Sequence, residues 1–244
     1  KRHDSGWASI VQQLQSPKNP DGIRITTLVI TFNYDIAFDV ALYKASFSIN
    51  YGLHGSDRAG FDLMKLHGST NWAVCPGCNS VYPWSIDHYA GYQYSESAPS
   101  ASIRFPIGTE LLERESSHCT KAKGAKNLGP FLVPPTWDKT RYHQNIESVW
   151  KLAARHLSEA RFIIVIGYSL PDTDHFFRLL YALGSAGKDP LRNFVVMDPD
   201  PNGEVQQRFK SMLGAGALTQ FQHVPKPFAG STLKELLIDI GLLP

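Results

Sequence analysis

Three short apolar runs constrain the fold most: Leu28-Val29-Ile30, Phe162-Ile163-Ile164-Val165-Ile166 and Phe194-Val195-Val196-Met197. Each stops at once in small or polar residues, and helical patterns lie between them. An apolar run without polar alternation is a strand covered on both faces, the habit of parallel sheets whose crossovers are helices. The expected class is therefore α/β, a Rossmann-like doubly wound and mostly parallel sheet. In open sheets of this kind ligands gather beyond the carboxyl ends of the strands, so the residues that follow each run are where a site is sought.

The first run delivers Thr31-Phe32-Asn33-Tyr34-Asp35. Asn33 and Asp35 would face a ligand crevice, or else cap the helix that starts near Ile36, as Asn and Asp often do. That helix, Ile36 to Tyr43, is expected to bury Ile36, Val40 and Tyr43 on one face. A second strand, Phe61 to Leu66, ends in His67-Gly68-Ser69-Thr70-Asn71-Trp72. A single His is usually a satisfied core or surface residue, yet Gly68 beside it permits close approach of backbone and ligand.

Further along, Ile146, Val149, Trp150, Ala153, Ala154, Leu157 and Ala160 keep a helical period and feed the Phe162 run. That run ends in Gly167-Tyr168-Ser169-Leu170-Pro171-Asp172-Thr173-Asp174, either a ligand-binding turn or the N-cap of a helix from Phe176 to Leu183. The third run ends in Asp198. A carboxylate there pairs with ribose hydroxyls in nucleotide-binding folds, or simply opens the turn before a helix at Glu204 to Leu213. A strand near Gln220 to Val224 and a helix from Thr232 to Ile240 complete the pattern, and a short amphipathic helix, Trp7 to Leu14, precedes it.

Residues 74–130 break the α/β rhythm. Cys75-Pro76-Gly77-Cys78 is a knuckle that could grip one face of a tetrahedral zinc, which needs two further ligands. Cys119 is the remaining cysteine, and His118 or His88 would have to complete the set; otherwise the knuckle is a plain turn. Phe131 to Trp137 returns to the main body, so the expected organisation is 1–73 with 131–244 as one domain around a small 74–130 insert.

Composition excludes some classes. No apolar run nears the roughly 20 residues of a membrane helix. A net charge of +2, with scattered basic residues, does not suggest nucleic-acid binding. An odd count of three cysteines suits a reducing, cytoplasmic compartment. The chain opens on Lys1-Arg2-His3-Asp4, with neither a methionine nor a signal-peptide pattern, as expected of a fragment of a longer protein. Oligomeric state is left open.

Taken in order, these motifs resemble the sirtuin-like (SIR2-like) domains, in particular a bacterial branch of defence-associated NAD hydrolases. Thr31-Phe32-Asn33-Tyr34-Asp35 is similar to the family's Thr-Gln-Asn-Ile-Asp stretch, and Lys65-Leu66-His67-Gly68-Ser69 to the strand end with the catalytic His-Gly. Cys75 and Cys78 match half of a zinc knuckle; Gly167-Tyr168-Ser169-Leu170 resembles the Gly-Thr-Ser-Leu turn beside the cofactor; Asp198 falls where relatives bind the adenosine ribose. The resemblance implies NAD as substrate, Asn33, Asp35 and His67 as catalytic residues, and cofactor contacts from Thr31, Phe32, Gly167 to Leu170 and Asp198. It also implies a structural zinc on Cys75, Cys78 and Cys119, and a sensing domain or partner protein. Its Gly-Ala-Gly pyrophosphate loop has no counterpart before Trp7, and Cys119 stands where the family has a pair. A protein deacylase, or a non-catalytic sensor of NAD or ADP-ribose, are the alternatives to a hydrolase.

Overall fold

The structure, a computed structural model, describes residues 11, 26–53, 59–75, 77–84, 86, 130–133, 140–171, 177, 178, 181 and 191–243. The expected helix Trp7 to Leu14, apart from Val11, lies outside the described residues, as do His88, His118, Cys119 and Asp172 to Asp174. The chain divides into two units, Leu28–Trp150 on the one hand and Lys1–Thr27 with Lys151–Pro244 on the other.

In the first unit, β1 (Val29–Thr31), α1 (Ala37–Lys44), β2 (Ile49–Asn50) and β3 (Phe61–Lys65) build a three-stranded parallel sheet in the order β1-β3-β2. Val29 stands opposite Leu63 and Thr31 opposite Lys65, while Ile49 stands opposite Phe61. The inner strand is thus β3, where Leu63, Met64 and Leu66 are fully buried. Leu28, Val29 and Ile30, expected to be covered on both faces, are half-buried, and among the described residues β1 pairs with β3 alone.

The helix α1 buries Phe38, Asp39 and Leu42. Its other flank brings Ile36 and Val40 against Ala73, Trp84 and Ile86. Tyr43, expected on the buried face, is exposed. Two antiparallel pairs follow: β4 (Gly68–Ser69) with β7 (Phe131–Leu132), and β5 (Trp72–Val74) with β6 (Val81–Pro83). These strands of two or three residues are too short to show a period in the sequence.

The helix α2 (Thr140–Glu159) buries Ile146, Val149 and Ala153 of the expected face and also Leu152, which the period did not include, while Trp150, Ala154 and Leu157 are half-buried; it is kinked at Ile146, where φ is −126° and ψ 22°.

In the second unit β8 (Phe162–Ile166), β9 (Asn193–Met197) and β10 (Phe221–Val224) form a parallel sheet in the order β10-β9-β8, with Ile164 opposite Val195 and His223 opposite Val196. Here too the inner strand is the buried one. Phe194 to Met197 are buried, whereas every residue of β8 is half-buried. Among the described residues, helices α3 (Glu204–Met212), α4 (Ala215–Leu218) and α5 (Gly230–Asp239) also belong to this unit, with Val205, Phe209, Leu233 and Leu236 turned inward. No helix among the described residues is long and apolar enough to cross a membrane.

Candidate functional site

The segment after β1 is pinned at nearly every peptide. The Thr31 carbonyl accepts the Leu66 N–H at 3.0 Å, and the Thr31 hydroxyl accepts the Asn33 N–H at 3.1 Å. The Tyr34 carbonyl accepts the Thr70 N–H at 2.9 Å and hydroxyls from Thr70 and Ser69 at 3.2 and 3.4 Å. The Tyr34 hydroxyl donates to the Val133 carbonyl at 2.7 Å, and burial holds its pKa above the usual phenol value, so it remains a donor through neutral pH. The two motif segments singled out in the sequence, 31–35 and 67–70, are thereby bound into one corner.

Within that corner the candidate residues differ in what they are free to do. Asn33 is exposed, and its side-chain amide makes no hydrogen bond among the described residues. Asp35 is exposed too, and its Oδ1 accepts the N–H of Ala37, the first residue of α1, at 2.9 Å, while Ile36 rather than Asp35 stands at the N-cap. His67 is only 8% exposed. Its ring meets Phe32 edge-on at 5.0 Å between centroids and Tyr34 at 6.1 Å, and its carbonyl accepts the Val133 N–H at 2.8 Å. Gly68, with φ of +80°, was expected to admit a ligand. The close neighbour is instead the Phe131 carbonyl oxygen, with which a Cβ at this position would collide.

Beneath the corner runs a polar chain that the sequence reading did not single out. Lys65 is 1% exposed; its Nζ donates to the Asp35 carbonyl at 2.5 Å and to Asp39 Oδ2 at 3.0 Å. Asp39 Oδ1 accepts the Tyr51 hydroxyl at 2.6 Å, and the Tyr51 oxygen accepts from Asn71 Nδ2 at 3.3 Å, which also donates to the Trp84 carbonyl at 3.3 Å. A signal did exist. Lys65 sits between Met64 and Leu66 in a strand, and a buried charge requires a partner.

In the second unit the turn after β8 is set by Gly167, with φ of +61°, whose N–H donates to the Met197 carbonyl at 3.0 Å. Gly167 and Ser169 are exposed, and the Ser169 carbonyl accepts from Arg208 Nη1 at 3.1 Å. Tyr168 is half-buried with its ring 5.3 Å from that of Phe177. Leu170 is fully buried at a φ of +48°, so only its backbone could meet a ligand.

Asp198, half-buried, accepts the Asp200 N–H on Oδ1 at 3.1 Å, the turn-forming role foreseen as its alternative. Asp200 was not singled out, yet it organises this end of the sheet. Its carboxylate accepts the Val205 N–H at 3.0 Å and the Gln206 N–H at 2.9 Å. Burial alone would raise its pKa; the amides of Gln206 and Val205 and the nearby His223, whose Nε2 is 3.9 Å from Oδ2, outweigh that and hold it below the usual value. The amides with which α3 would otherwise hold an anion are thus already occupied. A shallow concavity along α3, lined by Asn202, Gly203, Glu204, Gln207, Arg208 and Ser211, contains none of the residues chosen from the sequence.

The Cys75–Cys78 knuckle caps the β5–β6 hairpin. Its turn is closed by backbone bonds, Asn79 N–H to the Cys75 carbonyl and Cys75 N–H to the Ser80 carbonyl, both 2.8 Å. Cys75 is buried and Cys78 exposed. They supply two of the four ligands a structural zinc needs, and among the described residues no third His, Cys, Asp or Glu stands with them.

No family model matches the sequence, and no curated protein matches it. Among solved structures, the chain is similar to a Sir2 homologue in complex with NAD at 18% identity and a TM-score of 0.42, over 97% of this chain and 64% of that one. It is also similar to Sir2Tm bound to a propionylated peptide, at 13% identity and 0.43, over 98% of this chain and 71% of that one. A third is SIR2 with the inhibitor EX-527, 2′-O-acetyl-ADP-ribose and a deacetylated p53 peptide, at 13% and 0.43, over 97% of this chain and 71% of that one. The chain thus spans about two thirds of the length of these structures.

Proposed function

We propose that this chain is a SIR2-like NAD+ glycohydrolase that cleaves NAD to nicotinamide and ADP-ribose. The observation that carries the reading is the corner itself: Asn33 and Asp35 stand exposed on a pinned backbone, and the His67 ring lies against Phe32 and Tyr34 of the same segment. A surface loop with no task needs neither that rigidity nor an unspent amide at its tip.

Cleavage breaks the bond from ribose C1′ to the pyridinium nitrogen. Nicotinamide leaves as a neutral molecule with the bonding pair, the sugar passes through an oxocarbenium-like state, and water adds at C1′ and gives up a proton. Asn33 would position the ribose and the water. Asp35, whose second carboxylate oxygen has no hydrogen bond among the described residues, would hold the carboxamide region or steady the developing cation. His67 would accept the proton, since an imidazole exchanges protons near neutral pH. By the sequence resemblance alone, Thr31, Phe32, Gly167 to Leu170 and Asp198 would be the cofactor contacts. Tyr34, tied to Val133, keeps its ring beside His67, which supports water over a bulky acyl-peptide as the acceptor. The sequence resemblance further suggests an effector of a bacterial anti-phage defence system, governed by a sensing domain or partner protein, with zinc on the knuckle.

The test is chromatography of NAD incubated with the chain, without any peptide. Nicotinamide and ADP-ribose should appear in equal amounts, and Asn33→Ala and His67→Ala should each lower turnover by at least about a hundredfold, the usual scale for a lost acid-base or positioning group. Turnover that needs an acylated peptide would favour the deacylase. Saturable ADP-ribose binding without turnover would favour the sensor.

A further inference from the structure

We infer that Lys65 is a positioning residue, holding the Asn33–Asp35 corner from below by a single buried ammonium group. Three features carry this. Lys65 is almost wholly buried, and Nζ bridges two elements, donating to the Asp35 carbonyl at 2.5 Å and to Asp39 Oδ2 on α1 at 3.0 Å. Asp39 is itself held by the Tyr51 hydroxyl at 2.6 Å, and Tyr51 by Asn71, so the anchor does not swing. Lys65 also brings a charged donor to a corner that neutral hydrogen bonds through Leu66, Thr70, Ser69 and Val133 tie together among the described residues. Charge-assisted bonds are the shorter and stronger kind, and a buried charge is retained only where its partners satisfy it.

A purely structural ion pair has a different signature. Replacing both members of such a pair with apolar residues of similar volume commonly leaves stability unchanged or improved. Such a replacement here would keep the fold and still strip the Asp35 carbonyl of its donor. If Lys65 only fills space and charge, catalysis should not notice. If it sets the corner, the chemical step should suffer while the fold holds, because small misplacements at a reacting centre are costly.

The experiment compares the wild-type chain with Lys65→Met/Asp39→Leu, and it rests on the NAD-cleavage reading only for its kinetic arm. Thermal midpoint, kcat and KM for NAD, and amide hydrogen exchange are measured on both. We expect an unchanged midpoint, a kcat lowered at least about tenfold with KM altered less than about threefold, and faster exchange at the Ala37 and Thr70 amides, with the β8–β9–β10 amides unaffected. Wild-type kcat together with wild-type exchange at Ala37 and Thr70 would overturn the inference. If the wild type does not turn over NAD, the proposed activity fails and the exchange data alone decide the role of Lys65. Should the double variant not fold, Lys65→Met/Asp39→Asn, which keeps an acceptor for Tyr51, carries the same comparison.

Discussion

Asp200 shows how one side chain can fix the end of a strand, a turn and the start of a helix. Its two oxygens cap α3, its own N–H is held by Asp198, and His223 lies beside it. Although burial works against the charged form, the Gln206 and Val205 amides and His223 hold its pKa below the ordinary 3.8. A carboxylate whose folded-state pKa is depressed contributes stability that is present above its unfolded value and is lost as pH falls through the folded value. Denaturant midpoints followed from about pH 6 down to about pH 3 should therefore fall for the wild type. Asp200→Asn should start lower at neutral pH and show a shallower decline over the same window. Parallel pH profiles for the two proteins would mean that the acid sensitivity of this unit arises elsewhere.

At the scale of elements, the candidate site depends on β4 and β7, strands of only two residues each. β4 pairs with β7 through Gly68 opposite Leu132 and Ser69 opposite Phe131, and it begins one residue after His67. Gly68→Ala would place a Cβ against the Phe131 carbonyl and force alanine into a left-handed backbone, which alone costs roughly 1–2 kcal/mol. The expected loss is at least about 2 kcal/mol in urea denaturation, with reduced NAD turnover as the His67 backbone shifts. An unchanged midpoint would show that β4 and β7 separate at little cost. None of this pairing was legible beforehand, because a two-residue strand has no periodicity and its partner lies more than sixty positions away in the chain. The long elements were legible: β8, β9 and α3 fall within a residue or so of where apolar spacing and turn chemistry put them, and α2 ends where expected but begins at Thr140, well before the first periodic residue, Ile146. What local pattern could not give was rank within a sheet. Leu28 to Ile30 and Phe162 to Ile166 read as strands covered on both faces, yet they are half-buried and, among the described residues, have one strand neighbour each, since cover depends on neighbours and the sequence shows only one run at a time.

For the molecule as a whole, the sequence-derived residues divide between the units: Asn33, Asp35 and His67 belong to Leu28–Trp150, and Gly167 to Leu170 with Asp198 to the other. The polar residues at strand ends were readable because a strand that stops in Asn, Asp or His announces a turn chemically. The buried polar chain through Lys65, Asp39 and Tyr51 was not, because its partners are far apart in sequence and meet only through the parallel pairing. The same accounting bears on partners. Lys and Arg number 24 against 22 Asp and Glu. Some of that positive charge is spent internally, since Lys65 pairs with Asp39, and Arg208 with Glu204 and the Ser169 carbonyl. Counterion release from a phosphate backbone needs clustered Lys and Arg, and a chain whose basic and acidic residues nearly balance is expected to bind more weakly than the usual non-specific range of about 10⁻⁶ to 10⁻⁴ M. Fluorescence anisotropy with labelled duplex and single-stranded oligonucleotides should thus show no saturation at tens of micromolar protein, at roughly 50 mM or 150 mM salt alike. Saturable binding that weakens steeply between those two salt concentrations would instead mean that a basic face assembles on this molecule, and that its ligand is larger than a dinucleotide.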